Sequence, residues 1–466
     1  MFYFYLLFFL VVMFIELKIW QALTPLIVAF SGITVISVMH STFGGYLGFI
    51  KVHPEVYLYI SCFLAISFAS SLFVFVIFYF SRVGRSNLSA GFQVTRACSS
   101  AKKKSDNNSL NKLCLATADL APSRIFNNNF VAYLFLNAVS LLMMFVLYSV
   151  LRAYFSVGRI AGEEFEHALS YGVVGHAFAL LMACVPFLYL FVKLSASRWV
   201  RRMCFVSLIL ALIFLFMKQV KYWVLVPLIW ILVINFMLYG FKFNMRLFYK
   251  VLGMSAVAII LFFTVYFVQV VSGNNGVGGL DIPELILNVF YHLLGYAFSG
   301  LIVFSSLIDD GFFVSLNYKD AAVAFEGLFN IFSALVGGGG YDGDHFVIDF
   351  YVLNEVFYKV GNVGTLWADF IIYMGFFAFP IYFVMFSLLY FLFMLSRFNF
   401  LAFIYYTGLI SFLFFSWFAS YFKLLSPYEV PILSLFVAVL LIFLSRIKVA
   451  GLRVRQLAPT ANEHVI

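Results

Sequence analysis

Hydrophobic residues in this chain come in long unbroken runs rather than in alternating or one-sided patterns. Residues 203–217, 222–239 and 427–445 are apolar around the whole circumference of a helix. Such runs suit lipid, because only a helix or a closed barrel satisfies its own backbone polar groups in hydrocarbon. A barrel would show alternating segments of roughly ten residues, and this chain shows continuous runs instead. The pattern predicts an all-α, polytopic helical membrane protein. Eleven spans are expected, near 1–15, 20–39, 56–80, 130–151, 171–192, 203–217, 222–239, 251–271, 366–394, 399–418 and 427–445. No Lys or Arg precedes the first run, so 1–15 reads as a retained span rather than a cleaved signal peptide.

Composition sharpens this picture. The chain is 64% hydrophobic and only 11% charged, which excludes an ordinary soluble domain. The scarce charges set the orientation, since Lys and Arg collect on the cytoplasmic side. Segment 81–129 carries Arg82, Arg85, Arg96, Lys102, Lys103, Lys104, Lys112 and Arg124, while 193–202 and the tail after Arg446 are also basic. Placing these inside leaves eight of the 29 basic residues outside: Lys51, Arg152, Arg159, Lys218, Lys221, Lys319, Lys359 and Lys423. The N-terminus is then external (periplasmic) and the C-terminus cytoplasmic. The run 285–308 is long enough to cross, but one more crossing would put the basic tail outside. It reads as a re-entrant or amphipathic surface helix.

The chain therefore divides into four parts. Residues 1–271 form a bundle of eight spans with the basic loop at 81–129. Residues 272–365 form an external cap, 366–446 a further three spans, and 447–466 a cytoplasmic tail. The cap carries ten carboxylates against Lys319 and Lys359, and its many apolar residues argue for a folded structure. Cys62, Cys98, Cys114, Cys184 and Cys204 have no C-x-x-C spacing, which argues against a disulfide framework or a zinc site. No P-loop and no H-E-x-x-H occurs, and no cofactor, metal or nucleic-acid partner is expected.

Ionisable residues inside spans mark ion paths. The expected spans contain almost none, with Asp369 the exception, near a helix start where a dipole would favour it. Polar groups gather instead in external segments 152–170 and 272–365. That placement suits an enzyme acting on a lipid-linked substrate at the outer interface better than it suits a pump.

The segment 361–380, GNVGTLWADFIIYMGFFAFP, resembles the stretch after the long external loop in bacterial oligosaccharide repeat-unit (O-antigen) polymerases of the Wzy type. The span count, basic loop, long external loop and basic tail are similar to that family along nearly the whole chain. The resemblance implies a metal-independent glycosyltransferase of the bacterial inner membrane. It would transfer a growing glycan from undecaprenyl diphosphate to the next lipid-linked unit. It also implies undecaprenyl-diphosphate-linked oligosaccharide, the lipid bilayer and a chain-length-regulating co-polymerase as partners. An O-antigen ligase and a lipid-linked oligosaccharide flippase are the alternatives.

Such a reaction needs cations for the diphosphate and a base for the acceptor hydroxyl. Arg159 is assigned a catalytic role, against the alternative of pairing with Glu163. Arg152, Lys218 and Lys221 are assigned to the diphosphate, against the alternative of interfacial anchoring. His345 in GGGGYDGDHFVIDF is the candidate base, against a solvated loop histidine. Asp342, Asp344 and Asp349 are candidate sugar ligands, against an acidic surface loop. The family's long-loop arginine has no counterpart, because no arginine lies between Arg246 and Arg397. His167 and His292 read as packing or hydrogen-bonding residues.

Overall fold

The computed structural model of the chain describes residues 1–80, 121–158, 163–170, 172–218, 221–239, 282–311, 318–338, 350–357 and 359–447, with isolated positions between 253 and 264. The architecture is helical throughout these residues apart from one two-stranded hairpin. By length and composition, ten of the described helices are long and apolar enough to cross a membrane. The chain is an all-α multi-pass membrane protein. The expected span at 251–271 lies outside the described residues.

The first bundle joins α1 (Phe2–Trp20), α2 (Pro25–Met39, prolonged by a wide π turn to Gly44) and α3 (Pro54–Phe80). Their starts are fixed locally: Thr24 caps α2, accepting from the Ile27 amide, with Pro25 at the first helical position. The second bundle comprises α4 (Ala121–Phe126), α5 (Asn129–Val157), α6 (Glu163–Ser170), α7 (Gly172–Leu194), α8 (Arg198–Met217) and α9 (Lys221–Tyr239). Asn128 caps α5 and Ser197 caps α8. The helix α7 is buried along most of its length, so it is the centre of this half.

The region expected to form a cap folds as α10 (Ile282–Asp309), α11 (Tyr318–Val323), α12 (Glu326–Leu335) and the antiparallel strands β1 (Tyr351–Asn354) and β2 (Lys359–Gly361). The C-terminal part contributes α13 (Leu366–Met374), α14 (Ala378–Ser396), α15 (Phe400–Leu413) and α16 (Ser426–Arg446). Two hydrophobic cores result. One gathers α1–α3 with α10, α13 and α14, the other α4–α9 with α16, and α15 contributes to both. Trp230 of α9 donates to Thr407 Oγ1 of α15 at 2.9 Å, a hydrogen bond on that shared helix. Apolar burial gives little drive to helix association in lipid, so ring packing and such bonds carry it.

Two elements differ from a simple run of spans. Several partners of α10 lie at one end of the first bundle, and others on the hairpin and the connection 414–425. The ring of Phe298 meets His40 and Phe49, the Ser305 hydroxyl accepts from the His53 amide at 2.7 Å, and Phe304 packs on Tyr59. The helix packs on that end together with the hairpin, an arrangement termed the roof, and Ile286–Asp309 is also among the helices long and apolar enough to cross.

The second difference is a correction: residues 366–394 are not one straight span. Trp367 donates from Nε1 to the Tyr382 hydroxyl at 3.1 Å, and the Phe370 ring packs against the same tyrosine. Fifteen residues of straight helix would separate Trp367 and Tyr382 by roughly 22 Å. The chain breaks at Gly375, where φ is +51°, and α13 folds back on α14.

Candidate functional site

The roof is pinned through the loop after α2. Leu353 of β1 accepts from the Ile50 amide at 3.1 Å, and Asn354 donates from Nδ2 to the Leu47 carbonyl at 2.7 Å. The Asn354 side-chain Oδ1 in turn accepts from the Val356 and Phe357 amides, closing the hairpin turn. On β2, Lys359 donates to Asn288 Oδ1 at 2.5 Å; burial lowers its pKa from the ordinary lysine value. Tyr351 donates to Asp310 Oδ2 at 2.6 Å at the other end of α10.

Under this roof lies the connection between α15 and α16, residues 414–425, with two short 3₁₀ turns. Glycines let helices press against its backbone. A Cβ on Gly300 of α10 would collide with the Trp417 carbonyl oxygen, and one on Gly327 of α12 with that of Leu424. The clasped connection carries Lys423 to Asp369 on α13, Nζ to Oδ2, at 2.9 Å. Asp369 is almost wholly buried in the first turn of α13, whose N-cap is Thr365. Its Oδ1 is buried without a well-formed hydrogen bond, although the Ser420 backbone amide faces the carboxylate. Burial disfavours the Lys423 ammonium, but the Asp369 carboxylate outweighs it and holds the lysine above its ordinary pKa.

A second polar group sits further along the same connection. Glu429, in the first turn of α16, pairs with His176 of α7, Oε1 to Nδ1, at 2.5 Å. Lys218, just past α8, is buried with its ammonium 3.8 Å from the Trp223 ring centroid and 5.5 Å from that of Phe178. Burial pushes Lys218 down to about 8, opposed by the charges of Glu166 and Glu429.

Of the residues singled out from sequence, Lys218 enters this arrangement. Arg152 is exposed on the last turns of α5. Lys221 opens α9, and its side chain is outside the described set. Arg159, His345, Asp342, Asp344 and Asp349 lie outside the described residues. The groups that sequence reasoning left unassigned are Lys423, Glu429 and His176. Helix-start acids such as Glu429 were a legible signal; their cross-chain partners were not. No group of three or more His, Cys, Asp or Glu suited to a metal occurs among the described residues.

A family model covers residues 97–451, more than three quarters of the chain. The chain belongs to DUF6337, a family of unknown function. The DUF6337 match contains the roof, Lys218, the Asp369–Lys423 pair and the Glu429–His176 pair, and leaves α1–α3 outside it. No curated protein and no solved structure matches the chain.

Proposed function

We propose that this membrane protein polymerises lipid-linked oligosaccharide repeat units, as the resemblance of 361–380 to Wzy-type polymerases implies. The observation that supports it is that one buried and two half-buried lysines lie at the roofed end of the bundle. Lys218 is buried against Trp223 and Phe178, Lys423 is half-buried on Asp369 of the broken helix, and Lys359 is half-buried on the hairpin of the cap. Cations held in low dielectric favour a diphosphate far more than solvated ones do. In the reaction, the bond between the anomeric carbon of the donor glycan and its phosphate oxygen breaks. A bond to the acceptor hydroxyl oxygen forms, undecaprenyl diphosphate leaves, and the hydroxyl proton passes to a base. Lys218, with its pKa lowered by burial to about 8, is suited to meet the diphosphate or to relay that proton.

One observation favours a second reading. A buried carboxylate on a divided helix, as Asp369 on α13, is a feature of transporters. Such a protein would carry the lipid-linked oligosaccharide across the bilayer.

Deleting the gene in its own bacterium and examining surface glycans and extracted lipid-linked glycans separates these outcomes. Loss of polymerase leaves single repeat units attached to the surface acceptor. Loss of a transporter leaves the acceptor bare with no lipid-linked polymer, and loss of a ligase leaves it bare while lipid-linked polymer accumulates. An unchanged surface polymer ladder would overturn the proposal.

A further inference from the structure

The end of the first bundle away from the roof holds a polar cluster that the outer reading does not use. Its centre is Glu16, one turn before the end of α1 and wholly buried. The run-based span 1–15 stops short of it, whereas the helix continues to Trp20 and draws Glu16 inside. Glu16 Oε2 lies 2.8 Å from the Tyr390 hydroxyl of α14, while Oε1 is buried with no hydrogen-bond partner. The Thr24 and Ser71 hydroxyls surround the carboxyl, and Ser71 also accepts from Trp20 Nε1 at 2.8 Å.

The ionisable groups around Glu16 are few. On α14 there is Tyr390, and beyond its end Arg397; on α15 there is Tyr406, whose hydroxyl is buried without a partner. Arg397 does not pair with the carboxyl. Its guanidinium donates to the Trp20 carbonyl at 2.8 Å and lies over the Phe393 ring at 4.7 Å. On α1 itself Lys18 follows two residues on, where helical geometry turns it to another face. A carboxylate in hydrocarbon with one oxygen bare and no cation beside it is costly, whereas the neutral acid is tolerated.

We propose that Glu16 is a proton-binding carboxyl, resident as the neutral acid at the unroofed end of the first bundle. The ligand is a proton, and the free Oε1 together with the Tyr390, Thr24 and Ser71 hydroxyls forms the local relay that receives it. The inference does not depend on the glycan-polymerase reading. A proton site in this position allows a conformational step of the bundle to follow protonation.

The test is covalent labelling of the full chain in native membranes with dicyclohexylcarbodiimide, which reacts with protonated carboxyls in apolar surroundings. Peptide mass spectrometry reads the site. The expected result is labelling at Glu16 that declines as pH rises, is indifferent to replacing choline with sodium, and disappears in Glu16→Gln. That variant mimics the neutral acid, so it should be produced and solubilised like the native chain. Protection of Glu16 by sodium would overturn the proposal in favour of a metal-cation site. Absence of Glu16 labelling in the native chain would overturn it outright, whatever the variant does.

Discussion

At the scale of single residues, the Asp369–Lys423 pair offers the sharpest expectation. Asp369 is withdrawn from water while Lys423 is 30% exposed, so removing the lysine leaves an uncompensated buried carboxylate. Lys423→Met should lower the stability of the detergent-purified protein by an amount on the order of 3–5 kcal/mol, and Asp369→Leu by less, because the half-buried lysine can turn to water. The double substitution should recover most of that loss, because two apolar groups need no partner. Additive losses in the thermal melts would show that the two side chains are not coupled. Lys218 carries a pH-dependent expectation of opposite character. Its folded pKa, about 8, lies below the ordinary lysine value of 10.5. The cost of charging it in the folded state is therefore present in full below about pH 8. It is relieved as pH rises through the window from 8 to 10.5, where the unfolded chain binds the extra proton. Stability should climb across that window, and Lys218→Met should flatten the climb; melting curves at pH 7.5 and 9.5 read the difference. The Asp369–Lys423 pairing was not legible in the sequence. Asp369 stood out as an acid near a helix start, but its lysine lies 54 positions away across a connection, and charge patterning reports only neighbours on one element.

At the scale of elements, the long apolar helices were legible in the sequence and the roof only in outline. Hydropathy finds α3, α5, α7, α8 and α16 because each has to satisfy its own backbone in hydrocarbon. It could not separate α10 from a span, since the helix is long and apolar too; only the surplus of basic residues on the tail argued that it does not cross. The fold-back of α13 was hidden for a related reason. Leu366–Ser396 is continuous in hydropathy, and the break depends on one glycine and on where Trp367 finds its hydroxyl partner. The roof rests on close backbone approach at Gly300 and Gly327, which yields a prediction at this scale. Gly300→Val would drive a side chain into the Trp417 carbonyl and cost roughly 1–3 kcal/mol or more. It should loosen the roof without unfolding the spans, so limited proteolysis should cut within 310–350 faster than in the native chain. By contrast Gly311→Ala, where a Cβ meets nothing but the backbone has φ +69°, should show little effect on the contact between α10 and the connection 414–425. Equal protease resistance of Gly300→Val and the native chain would refute the tight seat of α10 on the connection.

At the scale of the whole molecule, everything proposed for the lysines depends on which side of the membrane the roof occupies. The helices alone are symmetric in this respect, because apolar packing does not distinguish the two faces. The charges do: basic residues crowd the loop at 81–129, the turn at 193–202 and the tail, all at the end opposite the roof by span order. A polyprenyl-diphosphate donor for surface glycans is used at the external face, so a cytoplasmic roof would leave Lys218, Lys359 and Lys423 on the wrong side. Single cysteines placed in a background free of the native ones decide the matter. Tyr46 in the loop beneath β1 and Trp199 at the start of α8 are both exposed, so each should react if reached. In intact cells whose outer membrane alone is opened, a membrane-impermeant maleimide should label Tyr46→Cys fully. Trp199→Cys should be labelled only after the inner membrane is permeabilised. The reverse order would invert the protein and with it remove the polymerase proposal, while leaving the buried Glu16 carboxyl to be judged on its own chemistry.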